Sequence, residues 1–98
     1  MLMQYIADLH IHSRFARGCS KNITIASLEK NARIKGIDVL GTGDFTHPLW
    51  FNELHELKEE NGILKTKSGF NFILQTEISL IYKYDFKVRK VHLIVLAP

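Results

Sequence analysis

Cysteine is nearly missing. The single Cys19 among 98 residues excludes an internal disulfide and favours a reducing compartment. The start, MLMQYIADLH, has no basic region running into a long apolar one, and the longest purely aliphatic run is only residues 93–97. Neither an export signal nor a membrane span is expected, so the default reading is a cytoplasmic protein with no membrane partner. Internal repeats and low-complexity segments are absent. Charge of neither sign dominates: 13 basic and ten acidic residues give a formal +3. The densest basic cluster, residues 83–90, is interrupted by Tyr84, Asp85, Phe86 and Val88, and reads as a solvated surface rather than a nucleic-acid patch. Phosphate-bearing substrates are compatible with that balance.

What is present is a hydrophobic fraction of 46%, which suits one small globular domain. A domain of this size buries only roughly 60 to 70% of the surface its unfolded chain exposes, so a metal, a partner or further sequence would be needed for high stability.

Residues 5–11 read as a strand and 13–22 as a loop. Ile25, Leu28 and Ala32 then fall at helical spacing, with Thr24 placed as N-cap and Gly36 where a helix C-terminus wants positive φ. The aliphatic stretch IDVLGTG at 37–43 predicts a buried parallel strand. Pro48 opens a second helical pattern that runs to Asn61-Gly62. Extended runs follow at 70–76, 78–84 and 88–96, the last two joined by a turn near Asp85. Alternating strands and helices predict an α/β fold with a parallel or mixed sheet. A closed barrel needs about twice this length. Residues 1–98 are therefore expected to be a single domain that is the N-terminal fragment of something larger.

Four features bear chemistry. His10 and His12 in ADLHIHS stand at i and i+2, the spacing that puts two imidazoles on one side of a strand about 6 to 7 Å apart. Such a pair serves as metal ligands or as two half-buried histidines. In GTGDFTHP, at the C-terminal end of a predicted strand, Gly41 and Gly43 allow close approach, and Asp44 with His47 offers a carboxylate and an imidazole. The other reading makes Asp44 a turn or cap residue and leaves His47 on the surface. Glu77 follows the aliphatic run FNFILQT, so its carboxylate needs a partner: cations, or an ion pair with Lys83, Lys87 or Arg89. His92 lies among apolar residues in VRKVHLIVLA, as a ligand or as a hydrogen-bonded core histidine. Together these supply four imidazoles and two carboxylates, a donor set suited to borderline divalent metals.

The run Asp8-Leu9-His10-Ile11-His12-Ser13 resembles the DLHxHS first motif of the PHP superfamily, the polymerase and histidinol phosphatase metal-dependent phosphoesterases. Asp44, Glu77 and His92 match that family's later motifs in order and context. The second motif departs from the usual Asp-His, since Phe45 follows Asp44 and the nearest histidine is His47. GTGDFTHPLW is similar to a PHP subgroup often labelled helicase-related, although no GxxxxGK[ST] is present. The resemblance implies a distorted, TIM-like βα barrel of which this chain is the N-terminal portion, without the family's C-terminal metal motif.

It also implies metal-dependent hydrolysis of phosphate esters. His10, His12, Asp44, His47, Glu77 and His92 would be the metal ligands, and Asp44 and His47 would also be catalytic. Arg14, Arg17 and Lys21 would bind phosphate. The cofactors would be Zn, Mn or Fe, two or three in a complete site, and the substrate a phosphorylated small molecule or a nucleic acid. The rival is a nucleic-acid-associated PHP-like binding or scaffolding module in DNA repair or replication, with little or no catalysis. Trp50 and Phe51 read as packing residues, Cys19 as a small loop residue and His55 as solvent-facing.

Overall fold

The computed structural model describes residues 4–14 and 22–97, the side chains of Leu80, Tyr82 and Tyr84 excepted. Arg17, Cys19 and Lys21 lie outside the described residues. Among the described residues six strands and two helices follow in the order β1 (Ala7–Asp8), α1 (Ile25–Ile34), β2 (Val39–Gly41), α2 (Pro48–Leu54), β3 (Lys58–Glu60), β4 (Ile63–Lys65), β5 (Asn71–Tyr84) and β6 (Lys87–Ala97). The sheet order is β1-β2-β5-β4-β3, with β6 also paired to β5. The first three of these strands run parallel, and β3, β4 and β6 add antiparallel pairs. This is a mixed, open α/β sheet among the described residues.

Local chemistry sets the helix limits. The Thr24 hydroxyl accepts from the Ser27 amide at 3.1 Å, and the Ser27 hydroxyl accepts from the Thr24 amide at 2.8 Å, a reciprocal cap that starts α1. Its end is closed by Gly36 at φ 74° and by the Ile37 amide donating to the Ala32 carbonyl at 2.9 Å. Glu29 then fastens α1 to the segment before β5: it accepts from Arg33 at 3.1 Å and from the Ser68 hydroxyl.

The second helix is shorter than its apolar pattern predicts. It stops at Leu54, and residues 58–65 form the β3–β4 hairpin instead of two more helical turns. The turn is Asn61-Gly62, with φ 53° and 84°. Both residues occupy the left-handed region that a two-residue hairpin turn demands, and Asn-Gly is the dipeptide that accepts it most readily. The same pair that reads as a helix stop is thus a hairpin signal, and pairing with β5 overrides weak helical periodicity. Strand β1 is also shorter than predicted, whereas the runs at 70–76 and 78–84 are one continuous strand, β5.

The core is small. Trp50 and Leu54 of α2 meet Ala32 of α1, Leu40 of β2, Leu64 of β4, and Phe70 and Phe72. Trp50 is fully buried and its indole N–H donates to the Thr42 carbonyl at 3.1 Å, so α2 is fixed to the end of β2 by packing and by a polar bond together. Beyond Thr76 the side chains of the β5–β6 ribbon are largely exposed. The radius of gyration, 15.3 Å, exceeds the ~12 to 13 Å of a compact chain of this length.

Replacing Trp50 by Ala should cost about 3 to 5 kcal/mol, read as a lower urea midpoint. A second expectation concerns acid. Hydrogen bonding from Ser68, which outweighs the opposing desolvation, and help from Thr66 and Arg33 hold the Glu29 carboxyl below the ordinary glutamate value. Its contribution is therefore complete above that value and is lost as pH falls through the lowered pKa. Glu29→Gln should be less stable than wild type at neutral pH, and the gap should close on acidification. A gap that persists at low pH would contradict this.

Candidate metal centre

The site forms where three loops or strands pass the middle of β5. Residues of β5 alternate between faces, so Gln75, Glu77 and Ser79 project to the same side. Gln75 is completely buried. Its amide oxygen accepts from the Ile11 amide at 3.1 Å and from the Gly43 amide at 3.2 Å. Its backbone accepts from Phe45 and exchanges bonds with the Thr42 hydroxyl. One side chain therefore holds the loop after β1 against the loop after β2. Gly41 and Gly43 permit this. A Cβ on Gly41 would stand 2.7 Å from the Gln75 amide oxygen, and one on Gly43 would stand 2.8 Å from the Ile11 carbonyl. Gly43 is also left-handed, at φ 68°, as is Asp44 at φ 45°.

With the loops so placed, His10 and His12 lie beyond the end of β1, their ring centroids 5.8 Å apart. Both turn toward Glu77. His10 Nε2 is 2.6 Å and His12 Nε2 3.2 Å from one carboxylate oxygen, Oε2. The other, Oε1, is 2.5 Å from His92 Nδ1. His92 stands opposite Ser79 in the β5–β6 register, and the Ser79 hydroxyl is 3.0 Å from the same nitrogen. Glu77 has 13% of its side chain exposed, against 55% and 40% for His10 and His12. The carboxylate is thus the most buried group of an otherwise open cluster. Its pKa lies below the ordinary glutamate value, chiefly because of the hydrogen bond from His10, with desolvation opposing and His92 assisting. Among the described residues Glu77 is paired with the three histidines and not with Lys83, Lys87 or Arg89.

Asp44 takes a flanking place. Its Oδ2 accepts from the backbone and hydroxyl of the fully buried Ser13 at 2.7 and 2.8 Å, and its Oδ1 is 3.6 Å from His12 Nδ1. His47 is the N-cap residue of α2, its backbone N–H donating to the Asp44 carbonyl at 2.9 Å. The Arg14 guanidinium pairs with Glu53 of α2, donates to the Ile23 carbonyl at 3.2 Å and lies 5.4 Å over the Trp50 ring.

Ligand atoms of His10, His12 and Glu77 all lie within 4.8 Å of one another. Two ligands of one zinc-like ion, each about 2.0 to 2.1 Å from it, cannot be more than about 4.2 Å apart. His10 Nε2 and His12 Nε2 lie within that limit of Glu77 Oε2, at 2.6 and 3.2 Å, so small side-chain adjustments would admit a cation. Nitrogen and carboxylate oxygen are donors that borderline divalent metals accept. The residues present fit such an ion.

Against known proteins, no family model matches the chain. Over 60 residues it is 43% identical to an uncharacterised protein of Methanocaldococcus jannaschii, an alignment covering 61% of this chain and 8% of the relative. Two solved structures match at 38% identity and a TM-score of 0.67. One is the lesion-specific endonuclease Q of Pyrococcus furiosus, and the other is endonuclease Q in complex with a 27-mer duplex substrate bearing an abasic lesion at the active site. The chain is similar to endonuclease Q. The match covers 72% of this chain and 18% of endonuclease Q, so the chain spans only a small part of the relatives it resembles. The likeness supports an α/β fold of that kind here.

Sequence reasoning did not single out Gln75, Ser13 or Thr42. A signal for Gln75 was available: a lone amide in an otherwise aliphatic strand must find partners once buried. Gln75→Leu, close in size, should leave the Ile11 and Gly43 amides without an acceptor and cost about 1 to 3 kcal/mol for each one buried. It should also weaken metal uptake, because both loops then lose their common tie. Thermal unfolding and metal titration of the variant check this.

Proposed function

We propose that the chain carries a metal-dependent phosphoesterase site of PHP type, acting on phosphodiesters of DNA. The supporting observation is that Glu77 brings one oxygen to His10 and His12 and the other to His92, so that four donors able to hold divalent ions meet at one carboxylate. The likeness to endonuclease Q supports DNA as the substrate class. His10, His12, Glu77 and His92 would hold one or two ions from the group Zn, Mn and Fe. Such ions, when bound, lower the pKa of water and neutralise phosphoryl oxygens.

The rest is work for the protein. Asp44, oriented by Ser13, faces Nδ1 of His12 and so presents Nε2 to the centre, as outer carboxylates do for metal-binding histidines. In this proposal Asp44 is a positioning residue, and His47 fixes the start of α2 beside it. Ser79 steadies His92. Arg14 supports α2 through Glu53 and Trp50, which leaves Arg17 and Lys21 as the loop cations proposed for phosphate. The fold in this proposal is the first part of a βα barrel, with the site at the strand C-termini.

A second reading, a DNA-binding module with little catalysis, draws on Asp44, whose Oδ2 is committed to Ser13. The two separate cleanly. In the first, the purified chain takes up Zn, Mn or Fe by elemental analysis and hydrolyses a generic phosphodiester, and His10→Ala with His12→Ala abolishes both. Glu77→Gln should retain the fold yet lower metal affinity by at least about tenfold, the scale of outer-sphere losses being the minimum for a ligand. Unchanged turnover in the double histidine variant would remove the hydrolytic mechanism. Steeply salt-dependent DNA binding without hydrolysis favours the second reading.

A further inference from the structure

The basic cluster at residues 83–90 looks like a solvated patch when read along the chain. In space it occupies the outer half of the β5–β6 ribbon, with Lys83, Lys87, Arg89 and Lys90 all exposed. Asp85 is the one acid there. Setting those four cations and Asp85 aside from the 13 basic and ten acidic residues of the chain leaves nine of each. The net charge of +3 is therefore a property of the ribbon tip, while the remainder of the molecule is neutral. Among the described residues no ion pair engages any of these four cations.

Register decides which way they point. Glu77 lies opposite Ile94, Ser79 opposite His92, Ile81 opposite Lys90 and Lys83 opposite Val88. Because side chains alternate, these four pairs share one face of the ribbon. Lys90 and Lys83 thus stand on the same face as Glu77 and His92, about 7 Å beyond His92 and about 20 Å beyond Glu77 at 3.3 to 3.4 Å per residue. Arg89 and Lys87 fall on the opposite face. At the tip, Phe86 is fully exposed in a two-residue turn with Asp85.

We propose that the β5–β6 ribbon is a DNA-binding arm, with Lys90 and Lys83 contacting successive phosphates of the strand whose diester lies at Glu77 and His92. The proposal rests on the DNA-directed reading above and adds to it the surface and the residues that seat the duplex. A two-stranded ribbon fits the major groove, about 12 Å wide. A cationic row leading away from a phosphoesterase centre lets backbone contacts fix register without reading sequence. Ile81 and Val88, apolar and exposed beside the two lysines, let the lysine stems lie flat along the ribbon.

The test is fluorescence anisotropy of a short labelled DNA duplex with the full chain, across a salt series in EDTA, so that no metal is required. Each lost phosphate contact flattens the log–log salt slope by about 0.9, so Lys83→Gln with Lys90→Gln should flatten it by about 1.8. Lys58→Gln with Lys67→Gln, two exposed lysines outside the ribbon, should leave it unchanged. Circular dichroism of both double variants should match wild type. An unaltered slope in the Lys83 and Lys90 variant overturns the proposal. So does an equal flattening in Lys87→Gln with Arg89→Gln, which would place the duplex on the wrong face, and so does tighter binding of an RNA duplex. Loss of the slope change and loss of phosphodiester hydrolysis are read in separate assays, so either idea fails without the other.

Discussion

A carboxylate withdrawn from water must be compensated, and the Glu77 carboxylate sets the terms for the rest of the site. It is the least exposed of the four groups at the centre, and its compensation comes from imidazoles on separate parts of the chain. Bringing them to it requires that the loop after β1 be pressed onto the loop after β2, that β5 run unbroken past both, and that β6 return in one register. Each requirement is met by a short-range device: the Gln75 amide, the two glycines it passes, and the tight Asp85-Phe86 turn. The centre is therefore a by-product of how the strands are held.

Much of this was legible in the residue order. His10 and His12, Glu77 and His92 are far apart in sequence; the strand-end positions that α/β order predicts to meet hold for the two histidines after β1, whereas Glu77 and His92 lie inside the long strands β5 and β6. Their convergence on one carboxylate is visible in the structure. Asp44 and His47 were harder to place, because a polar residue after a glycine turn reads equally as a ligand or as a cap, and the difference lies in tertiary neighbours such as Ser13. Gln75 went unnoticed because attention to charge passes over a neutral amide, although burial makes an amide as demanding as an ion pair in its own way. The overextended second helix failed for a related reason: periodicity at 49–58 is genuine, but the Asn61-Gly62 turn and an open edge on β5 offer a better use for the backbone.

The molecule is divided in character. Its inner part is an ordinary packed domain built on Trp50, Phe72 and Leu54. Its outer part is a two-stranded ribbon whose apolar side chains, among them Ile78, Ile81, Leu93 and Ile94, are substantially exposed. Two strands alone are marginal in water, so the ribbon is held chiefly by its ladder and by the contacts of His92 with Ser79 and Glu77 near its root. Function on such an element comes with a cost in stability, and binding of a ligand along it would return part of that cost.

The ribbon's two-residue turn has an evolutionary corollary. Lengthening the loop at Asp85-Phe86 changes only the reach of the arm, because strand alternation below it is untouched. Inserting or deleting one residue between Glu77 and Tyr84, or between Lys87 and His92, inverts every side chain beyond that point relative to its neighbour. Such an event would carry His92 to the opposite side from Glu77 while leaving the hydrogen-bond ladder intact. Descendants of this chain can therefore vary freely in hairpin length at the apex, yet only in pairs of residues along its legs.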